Sequence, residues 1–517
     1  MITFDKNDKV LSMIANALST RAKNELDLAL YLDKTMDEFC GARKGNELRA
    51  GSYAQLWELA GRVLRNPQLG DGIYRSYKKV PAMYFCTHYK NYFDAAPLES
   101  VYRYMEDLAL WGMGALKVWF DLHHFRNMEE GEAESERILA ILKYAKSMGL
   151  KTVLTTLGNE AFADSPVELR ADWTAGHDGY TKELNDHYHL EICPSKPGGM
   201  EKIIEYRRQM LEVFKDAQPD YVAIGPYDEG GCSCAACAPW ASNGFLRCVK
   251  ALIPVIQEYF PDAKIVLGLW LVGFFRDGNE EYEGIQKALE HDFPEVEYLV
   301  GMFGSEAYKR DMHRPMLCFP EVSMTNTAPW GGYGANPMPK RFGNLWREHR
   351  DSVEGGWPYM EGIYADLNAV LLLREFRDNS NDADVVKEYL AYEFGLQGAL
   401  LEKVCGAIYD MENTLYRSFD KVNHRYVIKQ PEKVFDIEKV FVEANEALEK
   451  DVRESVKWQV LYLRAMIDGE LKRNDYYRNE KVRLYFEKLI DISYLHHSGP
   501  YTKPDIEDKV DLNAPRW

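Results

Sequence analysis

The chain has 517 residues, of which 46% are hydrophobic and 13% aromatic, a composition typical of globular proteins. Lys and Arg total 63 against 81 Asp and Glu, so the formal net charge is −18. Because nucleic acids and anionic membrane surfaces attract clustered Lys and Arg, this balance argues against both as partners. The N-terminus lacks a secretory pattern, and no stretch approaches the roughly 20 apolar residues of a membrane span. The sequence therefore predicts a cytoplasmic protein with reduced cysteines.

The first region has apolar residues at helical spacing. Three stretches show this pattern, over 10–18, 26–39 and 53–64. His, Cys and carboxylates are not concentrated there, so we expect a packing or interaction role. The sequence predicts an N-terminal helical region over residues 1–79.

From residue 80 onwards, short apolar runs alternate with helical patterns. Short apolar runs flanked by helices are typical of parallel strands that are covered on both faces. Eight such units fit an α/β fold of the (β/α)₈ TIM-barrel type over residues 80–380. A doubly wound open sheet is the alternative, but no GxGxxG follows the first run. The eight predicted strands are 81–87, 115–121, 152–157, 221–226, 264–271, 297–303, 316–324 and 358–364.

The remaining chain shows helical periodicity almost to its end. It predicts a C-terminal helical domain over 381–517, a bundle that docks on the barrel and ends in a polar tail. This bundle and the acidic surface also allow a homodimer. The predicted helices are 384–394, 401–419, 437–448, 452–471 and 479–495.

Polar and aromatic residues follow the predicted strands at the end where barrels carry their active sites. Trp and Tyr rings stack on the faces of sugar rings, while carboxylates and amides bind hydroxyl groups. We therefore predict a carbohydrate substrate. The predicted substrate-binding residues are His88, Tyr89, Asp121, His123, Asn159, Glu160, Tyr227, Trp270, Trp330 and Glu361.

Two adjacent carboxylates, Asp228 and Glu229, follow the fourth predicted strand. Glycoside cleavage needs an acid that protonates the leaving oxygen and a second group that supports the oxocarbenium-like transition state. Gly230 and Gly231 permit the backbone turn that brings both side chains to one pocket. A solvated turn is the alternative for the dipeptide alone, but its position at a strand end favours a catalytic pair.

The Asp228-Glu229 pair at the end of the fourth barrel strand resembles the family 20 glycoside hydrolases, the β-N-acetylhexosaminidases, and related substrate-assisted families. The resemblance implies a retaining enzyme with Glu229 as general acid/base. It also implies that Asp228 orients the 2-acetamido group of the substrate, which acts as nucleophile. The segment 359–368 resembles bacterial relatives of this superfamily, including α-glucuronidase-like and endo-acting hexosaminidase-like groups.

Three alternatives remain open from the residues themselves. A two-carboxylate glycosidase would use Glu361 or Glu160 beside Glu229. A metal-dependent hydrolase or lyase would use Asp121, His123 and the histidines near residue 187. A barrel that binds sugars without turnover is the third. The glycosidase mechanisms require no cofactor.

Three cysteines directly follow the glycines, at a spacing typical of metal ligands. They are Cys232, Cys234 and Cys237, and Zn²⁺ in structural sites takes four ligands. A structural zinc, buried reduced thiols and a disulfide are the three interpretations. The candidates for a fourth ligand are Cys193, Cys248, Cys318 and a histidine.

Overall fold

The structure is a computed structural model of the chain. It describes residues 1–87, 92–171, 190–226, 231–270, 272, 278–302, 305–323, 337–360, 365–415, 417–420, 425–428, 431–474 and 479–494.

The N-terminal region is a small α/β unit. Its five strands form one sheet in the order β1-β2-β4-β3-β5, in which β3 runs antiparallel to both of its neighbours. The elements are β1 (Ile2–Thr3), α1 (Lys9–Arg21), β2 (Leu28–Leu32), β3 (Cys40–Lys44), β4 (Glu47–Ala50), α2 (Tyr53–Arg65) and β5 (Gly72–Arg75).

The prediction of an all-helical region over residues 1–79 is therefore wrong. Two of its three helices exist, because their apolar faces are buried and Asp8 and Ser52 cap their N-termini. The stretch 26–39 instead contains β2, whose first three residues are all buried. A short buried apolar run has no periodicity that separates a strand from a helix.

The middle of the chain is a closed barrel of parallel strands, as predicted. The strands pair in the order β13-β15-β6-β14-β12-β11-β10-β9-β8-β7, and β7 returns to β6 to close the sheet. Strand seven is split into β12 and β13, and strand eight into β14 and β15. The strands are β6 (Val80–Phe85), β7 (Ala115–Trp119), β8 (Lys151–Leu157), β9 (Tyr221–Gly225), β10 (Lys264–Gly268), β11 (Val296–Gly301), β12 (Met316–Cys318), β13 (Glu321–Ser323), β14 (Gly355–Gly356) and β15 (Tyr359–Met360).

Helices surround the barrel between most strands. After β11 the described chain forms only a 3₁₀ turn, Glu306–Lys309, before β12 begins. A π-helical turn, Trp240–Phe245, leads into α7. The barrel helices are α3 (Tyr92–Ala95), α4 (Leu98–Trp111), α5 (Glu132–Ser147), α6 (Gly199–Phe214), α7 (Leu246–Tyr259), α8 (Gly278–His291), α9 (Pro339–His349) and α10 (Asp366–Asp378).

The barrel interior is filled by alternate residues of the strands, since successive side chains on a strand point to opposite faces. This inner cluster is separate from the larger apolar layer between the strands and the helices. Its members are Val80, Ala82, Tyr84, Cys86, Ala115, Val153, Tyr221, Ala223, Val266, Tyr298, Val300, Leu317, Trp357 and Tyr359.

The C-terminal region is mainly helical, as predicted, with one two-stranded antiparallel ribbon. The predicted helix over 401–419 ends earlier, at Leu415, because the chain turns into this ribbon. The elements are α11 (Asp382–Phe394), α12 (Gly398–Leu415), β16 (Arg417–Asp420), β17 (Arg425–Ile428), α13 (Val434–Ala447), α14 (Lys450–Arg453), α15 (Val456–Arg473) and α16 (Glu480–Ile492).

A buried ion cluster joins the C-terminal helices to the barrel. The Lys457 ammonium of α15 lies 3.0 Å from Glu393, 3.4 Å from Asp107 and 3.4 Å from Asp366. Asp107 belongs to α4 and Asp366 begins α10, so one cation binds two barrel helices to α11 and α15.

Among the described residues, no helix is both long and apolar enough to cross a bilayer.

Candidate active site

The candidate site lies where the barrel strands end at their C-termini. Two parts of it are described: a ring of aromatic side chains at the mouth of the barrel, and a charged cluster after β7 and β8. Several predicted residues lie outside the described residues, namely His88, Tyr89, Tyr227, Asp228, Glu229, Trp330 and Glu361.

Three half-buried aromatic side chains line the barrel mouth. Trp119 ends β7, while Trp270 and Phe319 each follow a strand by one or two residues. The Trp270 and Phe319 rings meet edge to face, with centroids 5.3 Å apart. The Trp270 Nε1–H is buried without a hydrogen-bond partner among the described residues. The mouth therefore offers flat apolar surface.

A lysine lies below these rings in the barrel interior. The Lys117 ammonium is 3.7 Å from the centroid of the Tyr84 ring and 5.0 Å from that of Trp357. It forms no ion pair with any carboxylate that the structure describes. Burial lowers the pKa of Lys117 to about 7, because a charged ammonium is poorly solvated there. Cation–π contacts offset part of this cost.

The charged cluster begins at the end of β7. Asp121 and His123 are both 3% exposed, and the imidazole Nδ1 contacts a carboxylate oxygen of Asp121. The same nitrogen lies 3.7 Å from a carboxylate oxygen of Glu160. The ring of His124 lies 4.5 Å from that of His123, measured between centroids. Two predicted binding residues, Asp121 and His123, are thus brought together as an ion pair.

Glu160 joins this cluster from the loop after β8, and Arg207 of α6 completes it. One Glu160 oxygen accepts a hydrogen bond of 2.6 Å from the Leu122 N–H. The Arg207 guanidinium lies 4.0 Å from the other and donates to the carbonyls of Leu157 at 2.7 Å and Glu160 at 3.0 Å. These four charged side chains, Asp121, His123, Glu160 and Arg207, form what we term the acid–base cluster.

The protonation of the acid–base cluster follows from burial and mutual contact. Burial lowers the pKa of His123, but the charge and hydrogen bonds of Asp121 and Glu160 outweigh it and raise that pKa to about 9. Burial raises the pKa of Glu160, but hydrogen bonds to Asp121 and His123 and the Arg207 charge lower it to about 2. Burial also raises the pKa of Asp121. At neutral pH the imidazole is protonated, and Asp121 is the carboxylate that takes up a proton first.

Asn159 and Glu160 hold the loop after β8 rather than facing solvent. Both are fully buried. The Asn159 Nδ2 donates to the backbone carbonyl of Ile192 at 3.1 Å, and the backbone carbonyl of Asn159 accepts from the Ile192 N–H at 2.9 Å. An isolated bridge pairs Glu160 with Glu191. These bonds fix the segment 190–193 beside the ends of β8 and β9.

Past the segment 227–230, the chain is described again from Gly231. Gly231 has φ of +64°, and a Cβ there would lie 1.9 Å from the Trp240 ring. Only glycine satisfies both the left-handed backbone and this close approach. The π-helical turn that carries Trp240 thus packs directly against the residue that follows the Asp228-Glu229-Gly230 segment.

Four cysteine sulfurs converge next to this turn. The Cys193 Sγ lies 3.8 Å from that of Cys234 and 3.7 Å from that of Cys237, and all four sulfurs, with that of Cys232, lie within 4.8 Å of one another. Three of the residues are buried and Cys234 is half-buried. Burial raises the pKa of the Cys193 thiol to about 11. We call this group the four-cysteine cluster.

A second set of potential ligands, Asp121, His123 and His124, also lies within 4.8 Å. Metal binding requires a neutral imidazole, and His123 is held in its protonated form. The neighbouring Arg207 adds a second positive charge. The contact between Asp121 and the imidazole is an internal ion pair, and a divalent cation bound at this set would have to displace the imidazole proton.

Four residues of the site are absent from the sequence-based prediction, namely Trp119, Phe319, Lys117 and Arg207. Trp119 lies in a predicted strand but was not assigned to the mouth. Lys117 and Arg207 are charged residues in a strand and a helix, where alternation and helical periodicity predict only which face they occupy. Cys193 was one of several candidates for a fourth ligand, because sequence spacing does not specify which distant segment folds back.

No family model matches the sequence, and no curated protein does either. Solved structures do resemble it. A family 89 glycoside hydrolase from Clostridium perfringens, solved in complex with PUGNAc, aligns with a TM-score of 0.62 at 12% identity, over 94% of this chain and 65% of that one. The protein CpGH84B aligns with a TM-score of 0.50 at 11% identity, over 97% and 94%. The chain shares their fold.

The likeness covers almost the whole of this chain, but the chain spans only about 65% of the length of the family 89 enzyme. A β-hexosaminidase from Streptomyces plicatus also aligns, with a TM-score of 0.47 at 12% identity, and this weaker likeness carries no argument. The likeness to the family 89 enzyme and to CpGH84B confirms the predicted (β/α)₈ barrel as a fold. At such low identity, the assignment of individual residues stays a prediction.

Proposed function

We propose that this protein is a glycoside hydrolase in which Glu229 is the general acid/base and Asp228 orients a 2-acetamido group of the substrate. The observation that carries the proposal is the position of β9. It is the fourth strand of a closed parallel barrel, and it ends at Gly225, three positions before Asp228. In barrels of this type, catalytic residues follow the C-terminal ends of the strands.

The chemistry asks two things of this pair. Glu229, protonated, gives its proton to the glycosidic oxygen as the bond to the anomeric carbon breaks. The acetamido oxygen of the substrate bonds to the anomeric carbon, and Asp228 accepts a hydrogen bond from the acetamido N–H. Water, deprotonated by the Glu229 carboxylate, then attacks the same carbon and releases the sugar with retained configuration.

The substrate class is supported by the barrel mouth. Trp119, Trp270 and Phe319 offer apolar faces of the kind that stack on sugar rings. A variant of the family 89 enzyme was solved in complex with its substrate GlcNAc-α-1,4-galactose. We therefore propose a terminal N-acetylglucosaminide as the substrate, and both anomers belong in the assay.

The test measures kcat/KM on the 4-nitrophenyl α- and β-N-acetylglucosaminides, the N-acetylgalactosaminides and the glucuronides. We expect turnover of one N-acetylhexosaminide. On that substrate, Glu229→Gln is expected to lower kcat/KM by about 10²–10⁴-fold, the usual contribution of a general acid/base. Asp228→Asn is expected to slow acetamido substrates and to have little effect on any glycoside that lacks this group.

The matched control is Glu306→Gln, which removes the same charge from an exposed residue of the turn after β11. Its kcat/KM should equal that of the wild type. Full activity of Glu229→Gln on the best substrate would refute the assignment of the acid/base. Binding of a sugar without turnover of any glycoside would instead favour a sugar-binding barrel.

A further inference from the structure

The four-cysteine cluster joins two loops of the barrel. Cys193 lies in the segment after β8, whereas Cys232, Cys234 and Cys237 lie in the loop after β9. The Cys193 N–H donates to the carbonyl of Leu169. Asn159 forms hydrogen bonds with both the N–H and the carbonyl of the neighbouring Ile192. The backbone that carries Cys193 is thus set in place by hydrogen bonds that do not involve the other three cysteines.

Two of the distances between the sulfurs match those of a tetrahedral metal site, and the others lie within 4.8 Å. Thiolates bound to Zn²⁺ at about 2.3 Å in a tetrahedron lie about 3.8 Å from one another. The measured separations from Cys193 are 3.8 Å to Cys234 and 3.7 Å to Cys237. A disulfide needs sulfurs about 2.05 Å apart, so neither pair is at bonding distance. The cluster has the size of a four-thiolate site.

The surroundings of the cluster suit anionic sulfur. The Ser195 hydroxyl lies 3.0 Å from the Cys237 sulfur, and an Arg247 N–H donates to the same sulfur at 3.5 Å. Arg247 also donates to Ser195 Oγ at 2.7 Å and to the carbonyl of Ala236 at 3.0 Å. Hydrogen-bond donors around metal-bound ligands orient them and stabilise their charge.

The backbone between the last two cysteines forms a tight turn. The N–H groups of Cys237 and Ala238 both donate to the carbonyl of Cys234, at 2.9 and 3.0 Å. This turn brings two sulfurs separated by two residues onto one side of the backbone. Sulfur ligands in tetrahedral geometry select zinc, or iron in iron–sulfur proteins.

We propose that Cys193, Cys232, Cys234 and Cys237 bind one structural Zn²⁺ that ties the loop after β8 to the loop after β9. Four thiolates fill the coordination sphere, so the ion has no open position and does no chemistry. Binding releases the thiol protons to solvent and changes no oxidation state. The metal anchors the chain at Cys232, three positions after Glu229 in the sequence, while β9 anchors it on the other side.

The first measurement is the metal content of the full-length protein, produced with added zinc and purified under reducing conditions. We expect about one zinc per chain by elemental analysis, as for a closed structural site. Cobalt(II) exchanged into the reduced protein should show thiolate-to-metal charge-transfer absorption. Absence of zinc with all thiols free to react, iron in its place, or a mass lowered by disulfide formation would overturn the proposal.

The second measurement compares two double variants. Cys193→Ala with Cys234→Ala removes two proposed ligands, and Cys40→Ala with Cys405→Ala removes one buried and one half-buried cysteine elsewhere. We expect zinc to fall below about 0.1 per chain in the first and to remain at one in the second. The first should also melt at a lower temperature. Equal zinc in both variants would contradict the ligand assignment, even if neither hydrolyses a glycoside.

Discussion

The segment 190–193 lies between two buried clusters that differ in how negative charge is balanced. On one side, the backbone of Glu191 forms a β-bridge with that of Glu160, which belongs to the acid–base cluster. In that cluster two carboxylates contact a protonated His123 and Arg207. On the other side, Cys193 enters the four-cysteine cluster, where Arg247 reaches one sulfur from the surface. The chain supplies both signs of charge to the first cluster. In the second, by our proposal, a metal ion supplies the positive charge.

These two clusters hold the loops around the proposed catalytic segment. Buried charges are tolerated when they are paired and hydrogen-bonded, and removal of one partner is costly. Removal of one positively charged side chain should therefore destabilise the acid–base cluster. Removal of the metal should destabilise the four-cysteine cluster.

Arg207→Met is expected to destabilise the folded protein more than the other two substitutions considered below. It leaves Glu160 without the guanidinium and two buried carbonyls without their donor. We expect a loss of about 3–5 kcal/mol in the free energy of unfolding, measured by urea denaturation. The control is Arg208→Met on the same helix, whose exposed guanidinium pairs with Glu258. An equal loss in both variants would show that the buried cluster contributes no more to stability than an exposed ion pair.

The pH dependence of stability tests the protonation of His123. Its folded pKa of about 9 lies above the unfolded value of about 6.5, so the contribution is fully present below pH 6.5. It is lost as pH rises through 9, which amounts to about 3 kcal/mol at most. Unfolding of wild type and His123→Gln should converge at alkaline pH. Exposed His291→Gln is the control, and a constant difference across this range would contradict the pair.

The smallest effect concerns Lys117, a buried cation without a carboxylate partner among the described residues. Its folded pKa of about 7 lies below the ordinary value of 10.5, so the unfolded chain binds more protons between these values. Stability of the wild type should then rise with pH relative to Lys117→Met, by on the order of 2 kcal/mol between pH 8 and 10. Parallel curves in urea denaturation would show that the ammonium is solvated in the folded protein.

The sequence predicted the barrel because its strands are short apolar runs separated by helices, and closure follows from their number. It failed for the N-terminal sheet, where β2 and the helices around it are equally apolar. Asp121, His123 and Glu160 were predicted because polar groups directly follow strands, and the structure brings them together, while their role in substrate binding stays a prediction. Arg207 was not, since it reaches the cluster from the side of α6. The cytoplasmic location and the homodimer stay predictions.

The role of Glu229 as general acid is tested by varying the leaving group of the glycoside. A general acid matters most when the departing oxygen is a poor leaving group and little when it is a good one. Glu229→Gln should therefore lose about 10²-fold or more on a phenyl N-acetylglucosaminide but far less on the dinitrophenyl analogue. A loss that is the same for both leaving groups, or no loss at all, would contradict the role of Glu229.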